Sequence, residues 1–191
     1  MLNIAIVIGS VRTGRQSHKA AYFIEKKLNE RKDVSVNVID LIKYEIPILQ
    51  ERLGRTENPP AAVKEAGTIL NSADAIILVS LEYHGGMSGV LKNFLDYYTQ
   101  EITRKPIGVV TASGGKFGGI NASHEMQKLI LAIGSYPMPK KFLVSSVHEA
   151  FDIEFNVLKD DVAKGAEVFL NEYIWFANTI TKGKNLDCKA A

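Results

Sequence analysis

Five runs rich in Ile and Val, at 2–8, 34–40, 75–80, 106–112 and 141–147, alternate along the chain with segments of helical apolar spacing. Runs that are apolar nearly throughout suit strands covered on both faces, and the regular interposition of a helix supplies the crossover that parallel strands need. The helical spacing falls at 15–31, 60–72, 88–100, 119–134 and 157–181, the last with Val162, Ala166, Phe169, Leu170, Tyr173, Ile174 and Ala177 on one stripe. The expected fold class is α/β: a doubly wound, five-stranded parallel sheet with helices on both faces. With 191 residues, 46% of them hydrophobic, the chain can fill one core. One domain over 1–181 with a polar tail at 182–191 is expected.

Composition removes several function classes. A net charge of +2, with Lys and Arg spread along the chain, gives no basic patch, so no nucleic-acid partner is expected. The apolar opening, about seven residues long, is too short for a signal-peptide core, and no run approaches about 20 apolar residues, so no membrane partner and a cytoplasmic location are expected. Cys188 is the single cysteine, which excludes a disulfide framework, a Cys-x-x-Cys pair and a thiolate metal site. Redox chemistry would have to come from a bound cofactor. His18, His84, His124 and His148 show no ligand spacing with one another, so no metal is expected.

In an open parallel sheet, ligands bind beyond the C-terminal ends of the strands, where the winding direction reverses; for the order 2-1-3-4-5 that point lies between the first and third strands. Three unusual loops fall at that edge. The first strand stops at Gly9-Ser10-Val11-Arg12-Thr13-Gly14-Arg15-Gln16-Ser17, just before a helix. Unpaired N–H groups of a first helical turn, the hydroxyls of Ser10, Thr13 and Ser17, and the guanidinium forks of Arg12 and Arg15 together make a phosphate cradle. The turn lacks the Gly-Lys-Ser/Thr ending of triphosphate loops, the Gly-x-Gly-x-x-Gly spacing of dinucleotide folds, and the cysteine of a phosphatase. Asp40 stands where a ribose-binding acid could follow the second strand, although a strand-end carboxylate is commonplace there.

The third strand runs into Leu81-Glu82-Tyr83-His84-Gly85-Gly86-Met87-Ser88-Gly89, and the fourth into Ser113-Gly114-Gly115-Lys116-Phe117-Gly118-Gly119. Glycines in both loops permit close backbone approach, as needed where main-chain groups read a flat heteroaromatic ring. Lys92 and Asp96 have the spacing of a surface ion pair on a helix. Phe94, Leu95, Tyr97 and Tyr98 carry more apolar surface than one inward stripe requires, so part of the set is expected to pack against another subunit. The irregular stretch 41–59, interrupted by Pro47, Gly54 and Pro59, is expected to be a surface loop near the site.

At these residues the chain resembles the NADPH-dependent FMN reductase family, flavodoxin-like proteins that include quinone, azo-dye and chromate reductases. Its first motif, Gly-Ser-x-Arg followed by a small or hydroxyl residue and Ser, is similar to Gly9–Ser17; its second, Pro-Glu-Tyr-Asn-Gly with a following Pro-Gly-x-Leu-Lys-Asn-x-x-Asp-Trp, is similar to Leu81–Tyr97. The loop at 113–119 is also similar, and the resemblance covers roughly 1–150. Leu81, His84 and Ser88 depart from the family's Pro, Asn and Pro.

The resemblance implies that Ser10, Arg12 and Ser17, within a cofactor loop that also holds Thr13, Arg15 and Gln16, bind the FMN phosphate. It implies that Leu81, Glu82, Tyr83, His84 and Gly85 line the isoalloxazine, that Ser113, with Gly114 and Gly115, meets it from the far side, and that the protein is a homodimer or homotetramer. The expected activity is hydride transfer from NADPH or NADH to flavin N5, with electrons then passed to a quinone-like, azo or other small-molecule acceptor. Two other readings remain open: an electron carrier of the flavodoxin type, and a non-redox module binding a phosphorylated ligand. Carriers dock on basic partners and are strongly acidic, which a charge of +2 is not.

Overall fold

A computed structural model describes residues 1–190, and the side chains of Asn185 and of 187–190, Cys188 among them, lie outside the described residues. Strands β1 (Leu2–Ile8), β2 (Val34–Asp40), β3 (Ala75–Ser80), β4 (Pro106–Ala112) and β5 (Tyr136–Val144) form one parallel sheet in the expected order β2-β1-β3-β4-β5. Successive side chains of a strand point to opposite faces, and β1 fills both. Ile4, Ile6 and Ile8 meet α1 (Ser17–Asn29) and α6 (Asp160–Ala190) in a core with Phe23, Ile24, Phe169 and Tyr173. Ala5 and Val7 face α2 (Ala61–Ser72), α3 (Gly89–Asp96) and α4 (Ile120–Ala132), where Val63, Leu70, Leu91, Phe94 and Met126 are buried. Each large side chain so buried contributes about 1.5–3 kcal/mol, which is why these runs need no polar alternation.

The register brings the strand ends level. Ile8 lies opposite Asp40 and Val79, Ser80 opposite Thr111, and Ala112 opposite Val144. The loops that leave β1, β3 and β4 therefore start side by side at one edge.

Several boundaries differ from the sequence expectation. The fifth strand lies at Tyr136–Val144 rather than 141–147. Pro137 and Pro139 break the strand pattern there, yet β5 pairs only with β4, and an edge strand tolerates missing N–H donors on its free side. The residues after it form a short helix, α5 (Val147–Ala150). The last helix does not stop at 181 but runs to Ala190, through the stretch expected as a tail. Helix α3 ends at Asp96, so Tyr97 and Tyr98 lie beyond it, and the aromatic surplus is absorbed within the chain. Phe94, Leu95, Tyr97 and Tyr98 are all buried, with the Tyr98 hydroxyl donated to the carbonyl of Val63 and that of Tyr97 to the carbonyl of Pro47. The argument for a subunit contact from that set fails, because the 41–59 loop folds over it: the amide of Asn93 holds both Leu49 N and the carbonyl of Pro47. Lys92 and Asp96 form the expected i, i+4 pair at 2.6 Å. Among the described residues, no helix is long and apolar enough to cross a membrane.

Candidate functional site

The turn between β1 and α1 leaves its donors unspent. Ser10 and Ser17 are 1% and 3% exposed, and among the described residues neither hydroxyl has a hydrogen-bond partner. A buried hydroxyl without a partner costs about 1–3 kcal/mol, so two in one turn mark a place where a ligand's acceptors belong. Gln16, at the N-cap of α1, makes no side-chain cap, and the first amides of the helix stay open with their partial positive charge. Its own amide instead donates to the carbonyl of Gly14. Arg12 and Thr13 are exposed at the mouth of the turn, and among the described residues their side chains have no partner.

Arg15 has a different role from Arg12. Its guanidinium grips the Asp40 carboxylate with two bonds of 2.5 and 2.6 Å and donates a third, of 2.7 Å, to the carbonyl of Ser10. Asp40 is 1% exposed and also accepts from the Tyr22 hydroxyl at 2.8 Å. Burial alone would raise the Asp40 pKa, but the bonds from Arg15 and Tyr22 outweigh it and hold the carboxyl below its ordinary value. Burial, with the bond to Asp40, pushes the Tyr22 phenol up to about 12. Asp40 is thus neither a bare strand-end residue nor free for a ribose. It is the anchor of the turn.

The loop after β3 is a two-residue hairpin. Tyr83 and Gly86 exchange both backbone bonds at 2.9 Å, and the residues between them, His84 and Gly85, have φ of +50° and +81°. That is a type I′ turn, which wants Asn-Gly. His84 is one of the few side chains that tolerate the left-handed region. Glu82 lines the cavity and caps α4: its carboxylate accepts from Asn121 N at 2.9 Å and Ala122 N at 3.1 Å. These bonds, that from the Ala122 amide foremost, hold its pKa below the usual carboxylate range. From α4, Glu125 returns a second latch, accepting from Met87 N. Ser88, in place of the family's Pro, caps α3 by accepting from Leu91 N and donates its hydroxyl to the carbonyl of Gly9. It ties the β3 loop to the end of β1.

Ser113 and Gly114 leave β4 beside this hairpin. Ser113 N donates to the carbonyl of Val144, and Val147 N to that of Ser113, so α5 is drawn against the loop. A Cβ built at Gly114 would stand 3.4 Å from His148 Nε2. The result is a cavity of about 190 Å³ in which the first turn (Arg12, Arg15, Gln16, Ser17), the hairpin (Leu81, Glu82, Tyr83) and the β4 loop (Ser113, Gly114) converge. Ser10 lies beneath it; Thr13, His84, Gly85 and Gly115 lie outside its lining. Ala112, Val147 and His148 complete the wall and were not singled out from sequence. Ala112 is an apolar strand residue like any other, and the short helix that carries the other two lies where the fifth strand was expected. A larger cavity, about 630 Å³, opens between the end of α1 and the first half of α6. It has no comparable cluster of unpartnered hydroxyls.

A doubly wound sheet of this order, with open donors at the β1 end and glycine-bearing loops after β3 and β4, defines a flavodoxin-like fold. Residues 2–149 match the family described as NADPH-dependent FMN reductase, and the chain belongs to it. It is an NAD(P)H-dependent oxidoreductase. The chain is 27% identical over 177 residues to an NADPH azoreductase of a Bacillus species, covering 90% of this chain and 94% of that one. It is 31% identical over 135 residues to an FMN-dependent NADPH-azoreductase of Staphylococcus saprophyticus, covering 68% of each. Among solved structures it is similar to a flavoenzyme NAD(P)H:(acceptor) oxidoreductase from Paracoccus denitrificans, with a TM-score of 0.79 and 22% identity over 94% of this chain and 98% of that one.

Proposed function

We propose that this chain binds FMN across the C-terminal ends of β1, β3 and β4 and uses it to carry electrons from NADPH or NADH to a small quinone or azo acceptor. The observation that carries the reading is the pair of buried, unpartnered hydroxyls of Ser10 and Ser17 at the open N-terminus of α1. Phosphate oxygens need donors, and the turn offers them in two hydroxyls, the Arg12 guanidinium and the open amides at the start of α1. Ser10, Ser17 and the free fork of Arg12 would hold the phosphate; the backbone of 82–85 and of 113–115 would meet the isoalloxazine edge. FMN, when bound, supplies hydride acceptance from the nicotinamide and onward electron transfer. Relatives named for azo and quinone reduction support the choice of acceptor.

The residues of the chain orient and bind, and none acts as nucleophile or general base. The latches from Glu82 and Glu125 fix the hairpin before a ligand arrives, which lowers the ordering cost of binding. The cavity, at about 190 Å³, is smaller than the roughly 300 Å³ and upward of pockets that bury a whole ligand. It suits the phosphate and its chain, leaving the ring toward solvent, where donor and acceptor can occupy one face in turn. The proposal includes a cytoplasmic homodimer or homotetramer, to be read by sedimentation.

The test is a titration of the flavin-free protein with FMN and with riboflavin, followed by anaerobic addition of NADPH or NADH. FMN should bind well and riboflavin poorly; the visible band of the oxidised flavin should bleach on addition of nicotinamide and return with a small quinone. Initial-rate plots at several quinone concentrations should be parallel, the mark of a ping-pong scheme. Absence of FMN uptake would refute the reading, and uptake without bleaching by either nicotinamide would point to an electron carrier.

A further inference from the structure

The phosphate turn is not held by its own backbone. Gly9 is held at the start of the turn by Val79 and the Ser88 hydroxyl, but among the described residues the one main-chain bond between two residues of 10–16 is Arg15 N to the carbonyl of Arg12 at 3.0 Å, and the Arg15 guanidinium reaches back from Asp40 to the carbonyl of Ser10. Asp40 in turn takes the Tyr22 hydroxyl at 2.8 Å. The outer face of Tyr22 is covered by Phe155, stacked at 4.9 Å between ring centroids and 29° between planes. Phe155 sits at φ +65°, a conformation a bulky side chain adopts only where its surroundings enforce it.

Those surroundings are a rigid strap between α5 and α6. Phe151 and Val157 pair across it; the Asp152 carboxylate accepts from Glu154 N and Asn156 N, both at 2.8 Å. Two lysines of α1 clip it down, Lys26 to the Asn156 side chain at 2.6 Å and Lys19 to the carbonyl of Phe151 at 3.4 Å. The strap follows directly on Val147 and His148, which wall the opposite side of the cavity. One segment, 147–157, thus closes the site at one end and braces the phosphate turn at the other.

We propose that Tyr22 and Phe155 are positioning residues for the FMN phosphate, setting cofactor affinity through Asp40 and Arg15 without touching the cofactor; this rests on the FMN reading given above. A brace that acts only on the phosphate turn has a signature that general loss of packing lacks. It changes the affinity for FMN and leaves that for riboflavin, which has no phosphate, where it was. Binding linkage is reciprocal, so FMN should also quiet the strap.

Tyr22→Phe keeps the ring that Phe155 stacks on and deletes only the donor to Asp40. It should weaken FMN by about fivefold to tenfold, part of the value of one hydrogen bond to a charged group, with riboflavin affinity unchanged. Phe155→Leu removes the stacked face and should weaken FMN by about twofold to fivefold. In the flavin-free protein, amide exchange across 10–16 should quicken in Tyr22→Phe, and in the wild type FMN should slow exchange across 151–157. FMN affinity unchanged in Tyr22→Phe, or FMN and riboflavin weakened alike, overturns the proposal. A wild type that binds neither flavin overturns the cofactor reading instead. The exchange of the flavin-free turn then decides the brace alone: no quickening in Tyr22→Phe refutes it.

Discussion

Replacing the two arginines of the first turn one at a time should give different outcomes, although both are single Arg→Ala changes three residues apart: Arg15→Ala should lower stability and, through the turn it braces, FMN affinity, whereas Arg12→Ala should lower FMN affinity alone. Removing one member of a buried ion pair costs about 3–5 kcal/mol, because the other charge is left without its partner. Arg15 and Asp40 have side chains only 11% and 1% exposed, so the pair qualifies. Tyr22 and the amide of Ile42 still donate to Asp40 afterwards, which places Arg15→Ala at the low end, about 3 kcal/mol. With a urea m-value of about 2 kcal/mol/M the midpoint should fall by about 1.5 M. Arg12 is exposed and unpartnered, so Arg12→Ala should leave the midpoint within about 0.5 kcal/mol of wild type. Its loss should appear in FMN titration, at about 1.5–2 kcal/mol or tenfold to thirtyfold, the low side of a charged hydrogen bond because solvent screens it. Urea denaturation of the flavin-free proteins and flavin titration of the folded ones separate the two. An Arg15→Ala protein as stable as wild type would refute the assignment of Arg15 to the fold, and an Arg12→Ala protein with wild-type FMN affinity would refute the cradle.

His84→Asn should raise stability by about 0.5 kcal/mol, since Asn is the preferred first central residue of a type I′ turn, and the melting temperature by about 1–2 °C in a chain of this size; a lower melting temperature would show that the imidazole makes a contact worth more than the strain. Asp40, with its folded-state pKa held below 3.8, contributes stability that is present above that unfolded value and lost as pH falls through the lower folded one, so urea midpoints measured from pH 5 to pH 2 should drop more steeply for wild type than for Asp40→Asn. Lys105 runs the other way: burial, ahead of the charge of Lys184, lowers its pKa from 10.5 to about 8, so between those values the unfolded chain holds a proton the folded one has released. Stability should therefore rise with pH through that window in wild type and not in Lys105→Met.

The fold was legible because its signal is redundant. Five Ile- and Val-rich runs and five helical stripes each point to the same alternation, and the 2-1-3-4-5 order follows from the class. The failures lie where burial decides and pattern does not. Tyr97 and Tyr98 looked like surplus surface because the sequence around 41–59 has no regular period; only the folded loop supplies the carbonyls of Pro47 and Ile48 that their neighbourhood needs. The strand at Tyr136–Val144 was displaced by two prolines that an edge position tolerates. The last helix was cut short because Lys182, Gly183 and Lys184 interrupt its apolar stripe.

The site was legible as a set of loops and illegible as a set of pairings. Arg12 and Arg15 are the same residue type in the same turn, and what separates them is a carboxylate 25 residues away on the neighbouring strand; nothing local records it. Glu82 has the same history, since its carboxylate caps a helix 39 residues later. The three departures from the family motif can be ranked by the same reasoning. Ser88 replaces the rigidity of Pro with three bonds, accepting from Leu91 N, donating to the carbonyl of Gly9 and giving its own N–H to Ser80 Oγ, and the last of these is one a proline cannot make. His84 keeps the turn type at a small conformational cost. Leu81 lines the cavity wall, and its one described side-chain bond, the Ser80 hydroxyl to its carbonyl, is one a proline there would keep. Of the three, Leu81 is the one positioned to alter what the cavity accepts, and Leu81→Pro should change FMN and riboflavin affinity by the same factor, leaving their ratio unchanged, whereas Ser88→Pro, which loses the bond to Gly9 at the start of the phosphate turn, should move the ratio; a ratio moved most by Leu81→Pro would place Leu81 at the phosphate instead.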